Sequence, residues 1–382
     1  MKRQYALTTL PRSQNPFTSI CTVFCFVFLV GTAPASFAYH PDDGKSVRLT
    51  IFGDSLSDSG NAAALGAGIT LRPFDNLVPD GPYFTYRFTN GRTWVEHLAK
   101  SLGSADSAKA VFRFSDVGRN YAVGGARARE FPDRVNLPQQ VGQFLSFTGG
   151  ALTHRDLVVM EFGGNDVRDA IAEFANALVS GGTEGEAQVA STQILCQAVA
   201  SIEQNIAFLH DAGAKTLLVT NSPNLGVTPA ITSLEPVSPG VTMLATELSS
   251  LFNLLLVNGD TPLPGTGDLG ICALTMVSIQ GLLALESSLP GIDLVLFDVF
   301  TLLTEAAAAP DAFHLSNGTD ACITPGVFFG AICRQPWEYV FWDGIHPTAA
   351  MHRVVAREAG GLLPAAKVAK KHKKARRDFT WQ

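Results

Sequence analysis

Short apolar runs alternate along this chain with longer stretches of helical spacing. Residues 46–52 form an apolar-rich strand ending at Gly53, residues 120–123 a second, and residues 156–162 (Asp-Leu-Val-Val-Met-Glu-Phe) a buried third. Residues 215–221 make a β-branched strand before Pro223, and residues 293–297 a fifth. Between them, residues 92–102 place Trp94, Leu98 and Leu102 on one side of a helix, residues 186–212 read as a long helix, and residues 348–363 as a final one. Strands separated by helices predict parallel βαβ units with helices on both faces. The expected fold is therefore α/β, a three-layer α/β/α sandwich around a mostly parallel five-stranded sheet. In such sheets reactive groups sit on loops at the carboxyl ends of the strands. Residues 60–90 and 309–337, rich in Gly, Pro and polar positions, read as long loops, which in compact domains often belong to the site. Segment 241–290 is strongly apolar, as core helices would be; the sharper alternative is a wall for an acyl chain.

The ends of the chain differ from its body. Lys2, Arg3 and Arg12 precede an apolar run over residues 20–30, and Ser36-Phe37-Ala38 offers small residues at both positions a signal peptidase reads. The run has about eleven residues, roughly half of what a bilayer span needs. Residues 1–38 are thus expected to be a secretory signal cleaved after Ala38, which makes the protein secreted or periplasmic. Residues 39–364 would then be the folded domain. Residues 365–382 carry Lys367, Lys370, Lys371, Lys373, Lys374, Arg376 and Arg377 against Asp378. That pattern predicts a solvated, disordered tail, or a peripheral contact with an anionic surface. The chain as a whole is acidic, with net charge -6, so the body lacks the clustered cations that nucleic-acid binding requires.

Export would remove Cys21 and Cys25 and leave Cys196, Cys272, Cys322 and Cys333. An even number in an exported chain suggests two disulfides, for which three pairings exist. Cys322 with Cys333 closes a short loop and is favoured, leaving Cys196 with Cys272; four buried free thiols are the alternative.

Four short segments carry candidate chemistry. In Phe52-Gly53-Asp54-Ser55-Leu56-Ser57 a serine follows an apolar strand, with Gly53 permitting a tight turn; a helix starting there would aim free N–H groups at the same spot. Alone, such a serine is usually a helix cap. In Asn120-Tyr121-Ala122-Val123-Gly124-Gly125 paired glycines let a backbone N–H approach a ligand, though alone they are a turn. Gly163-Gly164-Asn165-Asp166 presents an amide able to donate to a developing oxyanion, or to cap a helix. In Trp342-Asp343-Gly344-Ile345-His346-Pro347 an acid three residues before a histidine can fix its tautomer and leave the other ring nitrogen free as a base. Together, a nucleophile, oxyanion donors and an oriented base make an acyl-transfer set.

In these four ordered blocks the chain resembles the GDSL, or SGNH, hydrolase family of esterases and lipases, over about residues 48–360. It is most similar to the larger members, bacterial phospholipase/lecithinase and plant esterases, without the C-terminal β-barrel of the autotransporter members. The resemblance implies Ser55 as nucleophile, Asp343 and His346 as acid and base, and an oxyanion hole from the Ser55 and Gly125 N–H groups and the Asn165 amide. It selects Gly125 over Gly124, because the block's glycine lies five residues after its Asn. It implies a secreted hydrolase of lipid, short-chain or acylated-glycan esters, with no cofactor and no metal. An acyltransferase would use the same residues, and a non-catalytic lipid- or glycan-binding protein is the non-enzymatic alternative. The dinucleotide-like Gly265-Thr-Gly-Asp-Leu-Gly270 follows Pro262 and Pro264 rather than a strand end, which argues against a nucleotide site. His97, His154, His210, His314 and His352 read as packing or surface residues, and Asn317-Gly-Thr is a glycosylation sequon only in a eukaryotic secretory route.

Overall fold

A computed structural model describes residues 47–66, 82–149, 151–260, 270–275, 277–323 and 332–363. The expected signal (1–38), the basic tail (365–382) and most of the dinucleotide-like segment lie outside the described residues.

Four strands, β1 (Arg48–Gly53), β2 (Asp156–Glu161), β3 (Thr216–Thr220) and β4 (Asp293–Phe297), form one parallel sheet in the order β1-β2-β3-β4. Helices α1 (Trp94–Ser101), α2 (Leu137–Thr148), α3 (Gly164–Val179), α4 (Glu184–Asp211), α5 (Val241–Asn258), α6 (Gly281–Ser288), α7 (Val299–Ala308) and α8 (Ala349–Leu362) surround it. A small second sheet joins β5 (Asn317–Ala321) to β6 (Tyr339–Phe341).

Strand periodicity explains the layers. Leu49 and Ile51 of β1, with Leu157 and Val159 of β2, enter one core with residues of α1, α7 and α8. Their alternates Phe52, Val158 and Met160 enter the other with residues of α2 to α6. Buried on both faces, these strands read as nearly continuous apolar runs. Helix starts are set by reciprocal caps: Thr93 with Glu96, Asn136 with Gln139, and Thr183 with Glu186.

The α/β sandwich is as expected, but among the described residues the sheet has four strands rather than five. Residues 120–123 do run parallel to β1, with Tyr121 N–H donating to Ile51 O at 2.7 Å and Val123 N–H to Gly53 O at 3.1 Å. Only the isolated bridge Ile51 to Asn120 pairs the two, because the chain leaves the edge at Gly124. From β1 the chain thus passes to this edge and returns on the other side at β2. Strand order reverses at β1, where an open sheet leaves a crevice at its carboxyl end.

The apolar segment 241–290 behaves as core: Ala245, Leu248, Phe252, Leu255 and Leu256 of α5 are buried in the second cluster. The expected loop 309–337 contains β5, which sequence patterning did not reveal. Both expected disulfides are present, Cys196–Cys272 and Cys322–Cys333.

Candidate active site

The carboxyl ends of the strands bring the four sequence blocks together. After Gly53 the chain makes a turn in which the Ser57 and Asp58 N–H groups donate to Asp54 O at 3.2 and 3.0 Å, and Ser55 stands partly exposed on it. No helix begins at Ser55. Asp58 instead accepts the N–H groups of Gly60, Asn61 and Ala62 at 2.7, 2.6 and 3.0 Å, and so starts a single helical turn at residues 61–64. Gly53 also serves differently than expected. Its φ is not positive; a Cβ there would stand 3.0 Å from the Glu161 carboxylate, so the glycine makes room for a buried acid.

β6 leads into the Asp343–His346 turn, closed by Trp342 N–H to His346 O at 2.7 Å. Asp343 Oδ1 accepts the Ile345 and His346 backbone N–H groups at 2.9 and 2.7 Å. Its Oδ2 lies 2.7 Å from His346 Nδ1. A carboxylate can only accept, so Nδ1 carries the proton and Nε2 is the free base nitrogen, 2.9 Å from Ser55 Oγ. Burial pushes the Asp343 pKa up, but the His346 charge and the N–H donors outweigh it and hold the carboxyl below its ordinary value.

Sequence reasoning missed Tyr83. Its hydroxyl donates to the same Asp343 Oδ2 at 2.7 Å, so both carboxylate oxygens accept two hydrogen bonds. The Tyr83 ring packs edge-on against Trp342, in a cluster with Cys322, Cys333 and Tyr339. Burial, then the Asp343 charge, raise the Tyr83 pKa, keeping the phenol a donor. Lying 260 positions from its partner, Tyr83 had no local signal to mark it.

The glycine pair divides its work. A Cβ on Gly124 would collide with the Phe88 ring, whose centroid lies 5.3 Å from that of His346, whereas Gly125 is held at φ 77°. Asn165, in the first turn of α3, donates through Nδ2 to Asp54 Oδ2 at 2.8 Å and to Ala126 O at 2.9 Å. It therefore ties the residue before Ser55 to the residue after Gly125. Both amide hydrogens are engaged, so donation to a substrate oxygen requires sharing or releasing one of them.

Buried acids underlie this half of the site, which sequence reasoning also missed. Glu161 Oε2 accepts from Ser57 Oγ at 3.0 Å and from Asp54 N at 3.3 Å. Burial, then the neighbouring Asp54 charge, push Glu161 well above the ordinary carboxyl range. The pair accordingly holds a proton beneath the nucleophile turn. Arg127 is buried, pairs with Asp169 at 2.9 Å and donates to Gly125 O at 2.5 Å, fastening the glycine strap to α3.

Fold and geometry thus define an α/β protein whose strand-end loops assemble a Ser–His–Asp chain. The model of the GDSL-like Lipase/Acylhydrolase family matches residues 49–359. The chain belongs to this family. It is similar to GDSL esterase/lipase At5g22810 of Arabidopsis thaliana, with 25% identity over 80% of this chain and 86% of that protein. It is similar to GDSL esterase/lipase At4g16230 of the same plant, with 26% identity over 82% and 87%. A further Arabidopsis relative, at 22% identity over 83% of this chain and 71% of its own length, is named inactive GDSL esterase/lipase-like protein 25.

Proposed function

We propose that the protein is an exported carboxylic-ester hydrolase that works through an acyl-enzyme on Ser55. The observation that carries this reading is the continuous chain from Ser55 Oγ to His346 Nε2 at 2.9 Å and from His346 Nδ1 to Asp343 at 2.7 Å. Ser55 Oγ attacks the ester carbonyl while His346 Nε2 takes its proton, and Asp343 stays ionised to stabilise the imidazolium. The Ser55 and Gly125 N–H groups and the Asn165 amide hold the oxyanion. His346 then protonates the departing alkoxide, leaving an acyl group on Ser55. Water attacks that ester with His346 again as base, releasing the carboxylic acid and restoring the serine hydroxyl.

The signal at residues 1–38 delivers the domain of residues 39–364 to an oxidising compartment, consistent with the two disulfides. A fluorophosphonate probe should label the folded protein at Ser55, and Ser55→Ala should lose both labelling and ester hydrolysis with an unchanged melting temperature. Full hydrolysis by Ser55→Ala would refute the assignment.

A further inference from the structure

A cavity lined mostly by apolar side chains borders the Ser55 and His346 blocks, and its lining comes from their neighbours rather than from Ser55 and His346 themselves. Leu56, which follows Ser55, Ile345, which precedes His346, and Pro223 all line the cavity and are partly exposed. Pro223 stands 3.7 Å from where a Cβ on Gly164 would be, beside Asn165. Deeper in, Leu225, Leu302 and Leu303 are buried wall residues, so the cavity runs from the site toward α7. None of its lining comes from segment 241–290, where the sequence suggested an acyl wall.

Four polar side chains interrupt the apolar lining: Glu161, Thr220, Thr228 and His352. Burial, then the Asp54 charge, push Glu161 well above the ordinary carboxyl range. Thr228 Oγ1 donates to Leu225 O at 2.6 Å. His352 Nδ1 accepts the Trp94 backbone N–H at 3.1 Å, which makes the ring the neutral Nε2–H tautomer; burial pushes its pKa down to about 3. Thr220 Oγ1 is buried with no hydrogen-bond partner among the described residues. The rest of the lining is apolar and offers a charged substrate portion nothing to replace its water.

We propose that this cavity receives the acyl chain of the ester, so that the enzyme favours unbranched, medium-length acyl groups over acetyl. The inference rests on the acyl-enzyme reading above. The acyl group stays on Ser55 through both half-reactions, whereas the alcohol must leave and water must enter past His346 Nε2. A largely buried pocket bordered by Leu56 and Ile345, the chain neighbours of Ser55 and His346, suits the group that stays.

The test is kcat/KM for p-nitrophenyl acetate, butyrate, hexanoate and octanoate. In the wild type it should rise by up to about fourfold per added methylene, the value of burying one CH2 group. Leu303→Trp fills the deep end and should abolish that rise while keeping acetate hydrolysis within about twofold of wild type. Should the tryptophan disrupt the core, Val299→Phe, which narrows the cavity from a partly exposed position, carries the same expectation. An unchanged chain-length profile in a folded variant overturns the proposal. So does a flat wild-type profile, or a rise that follows the alcohol chain of acetate esters instead. Those results leave the esterase reading standing as long as acetate is cleaved and Ser55 is labelled. Failure of hydrolysis and of labelling together would overturn that reading, and the pocket with it.

Discussion

The two halves of the site are built on different foundations. Ser55 and Asn165 follow strands of the main sheet, where the register aligns Gly53 with Glu161, and Gly125 follows the segment 120–123 bridged to β1. Buried side chains join them: Asn165 bridges Asp54 and Ala126, and Glu161 sits under the turn. Asp343 and His346 instead hang from a three-residue strand outside the main sheet. Four donors to one carboxylate, one of them a tyrosine from a distant loop, and the cluster around Cys322–Cys333 secure that turn. The sheet half inherits precision from the main-chain ladder. The loop half must obtain it from side chains and a covalent clamp.

The sharpest way to break the comparison is Asp343→Asn. The amide can offer Nδ1 only a poorer acceptor and stabilises no imidazolium, so kcat should fall by about 10⁴-fold, while the sheet half and the melting temperature change little. A loss of only a few fold, measured on any cleaved ester, would mean that the loop half does not orient the base.

The two disulfides separate stability from chemistry. Closing loops of 76 and 11 residues, their chain-entropy contributions are about 4.5 and about 2.8 kcal/mol for Cys196–Cys272 and Cys322–Cys333 respectively. Replacing Cys196 and Cys272 with alanine should therefore lower the denaturation midpoint more but spare kcat. Replacing Cys322 and Cys333 should cost less stability and more kcat, since that pair packs with Tyr83 and Trp342. Equal kcat losses in the two double variants would show that the clamp has no particular link to His346.

Tyr83→Phe should reduce kcat by less than about tenfold, as expected for one hydrogen bond to a charged group. That loss should come with an unchanged melting temperature. A merely structural tyrosine would lower the melting temperature and leave the kcat of the folded enzyme in place.

The smallest expected effect concerns the sheet half and its surroundings. Burial raises Asp58 to about 6 and Asp166 to about 7, against 3.8 for an ordinary aspartate. Between those values the folded chain holds protons that the unfolded chain has released. These two groups thus favour folding at the acidic end and lose that contribution as pH rises through about 6 to 7. His352 opposes them, because it stays neutral when folded and gains a proton when unfolded below 6.5. Two carboxyls against one imidazole leave a net gain, so the melting temperature should be higher at pH 5.5 than at pH 8. A lower value at pH 5.5 would show these carboxyls to be ionised in the folded state.

Much of this organisation was legible in one dimension. Strands β1 to β4 and helices α1, α4 and α8 announce themselves by apolar period, because each buries a regular set of side chains. Residues 120–123 satisfied the same pattern yet form only an isolated bridge, since period reports burial rather than the length of a hydrogen-bonded ladder. β5, with the sequence Asn-Gly-Thr-Asp-Ala, has no apolar period at all and exists because β6 lies beside it. Tyr83, Glu161 and Arg127 are likewise invisible locally. Each acts through a partner far away in the chain, and nothing in its own neighbourhood distinguishes it from an ordinary loop, strand or surface residue.

The sequence by itself determined the fold class and the family, and it singled out Ser55, Gly125, Asn165, Asp343 and His346 as the candidate set. Those features are carried by short motifs and by local period, which need no knowledge of distant contacts. Only the tertiary structure decided that Asn165 braces Asp54, that Tyr83 completes the set of donors to Asp343, and that a mostly apolar cavity lies among the neighbours of Ser55, His346 and Asn165. Each of these depends on side chains far apart in sequence meeting in a water-poor interior. There the requirement to satisfy or neutralise every buried polar group decides which contacts form.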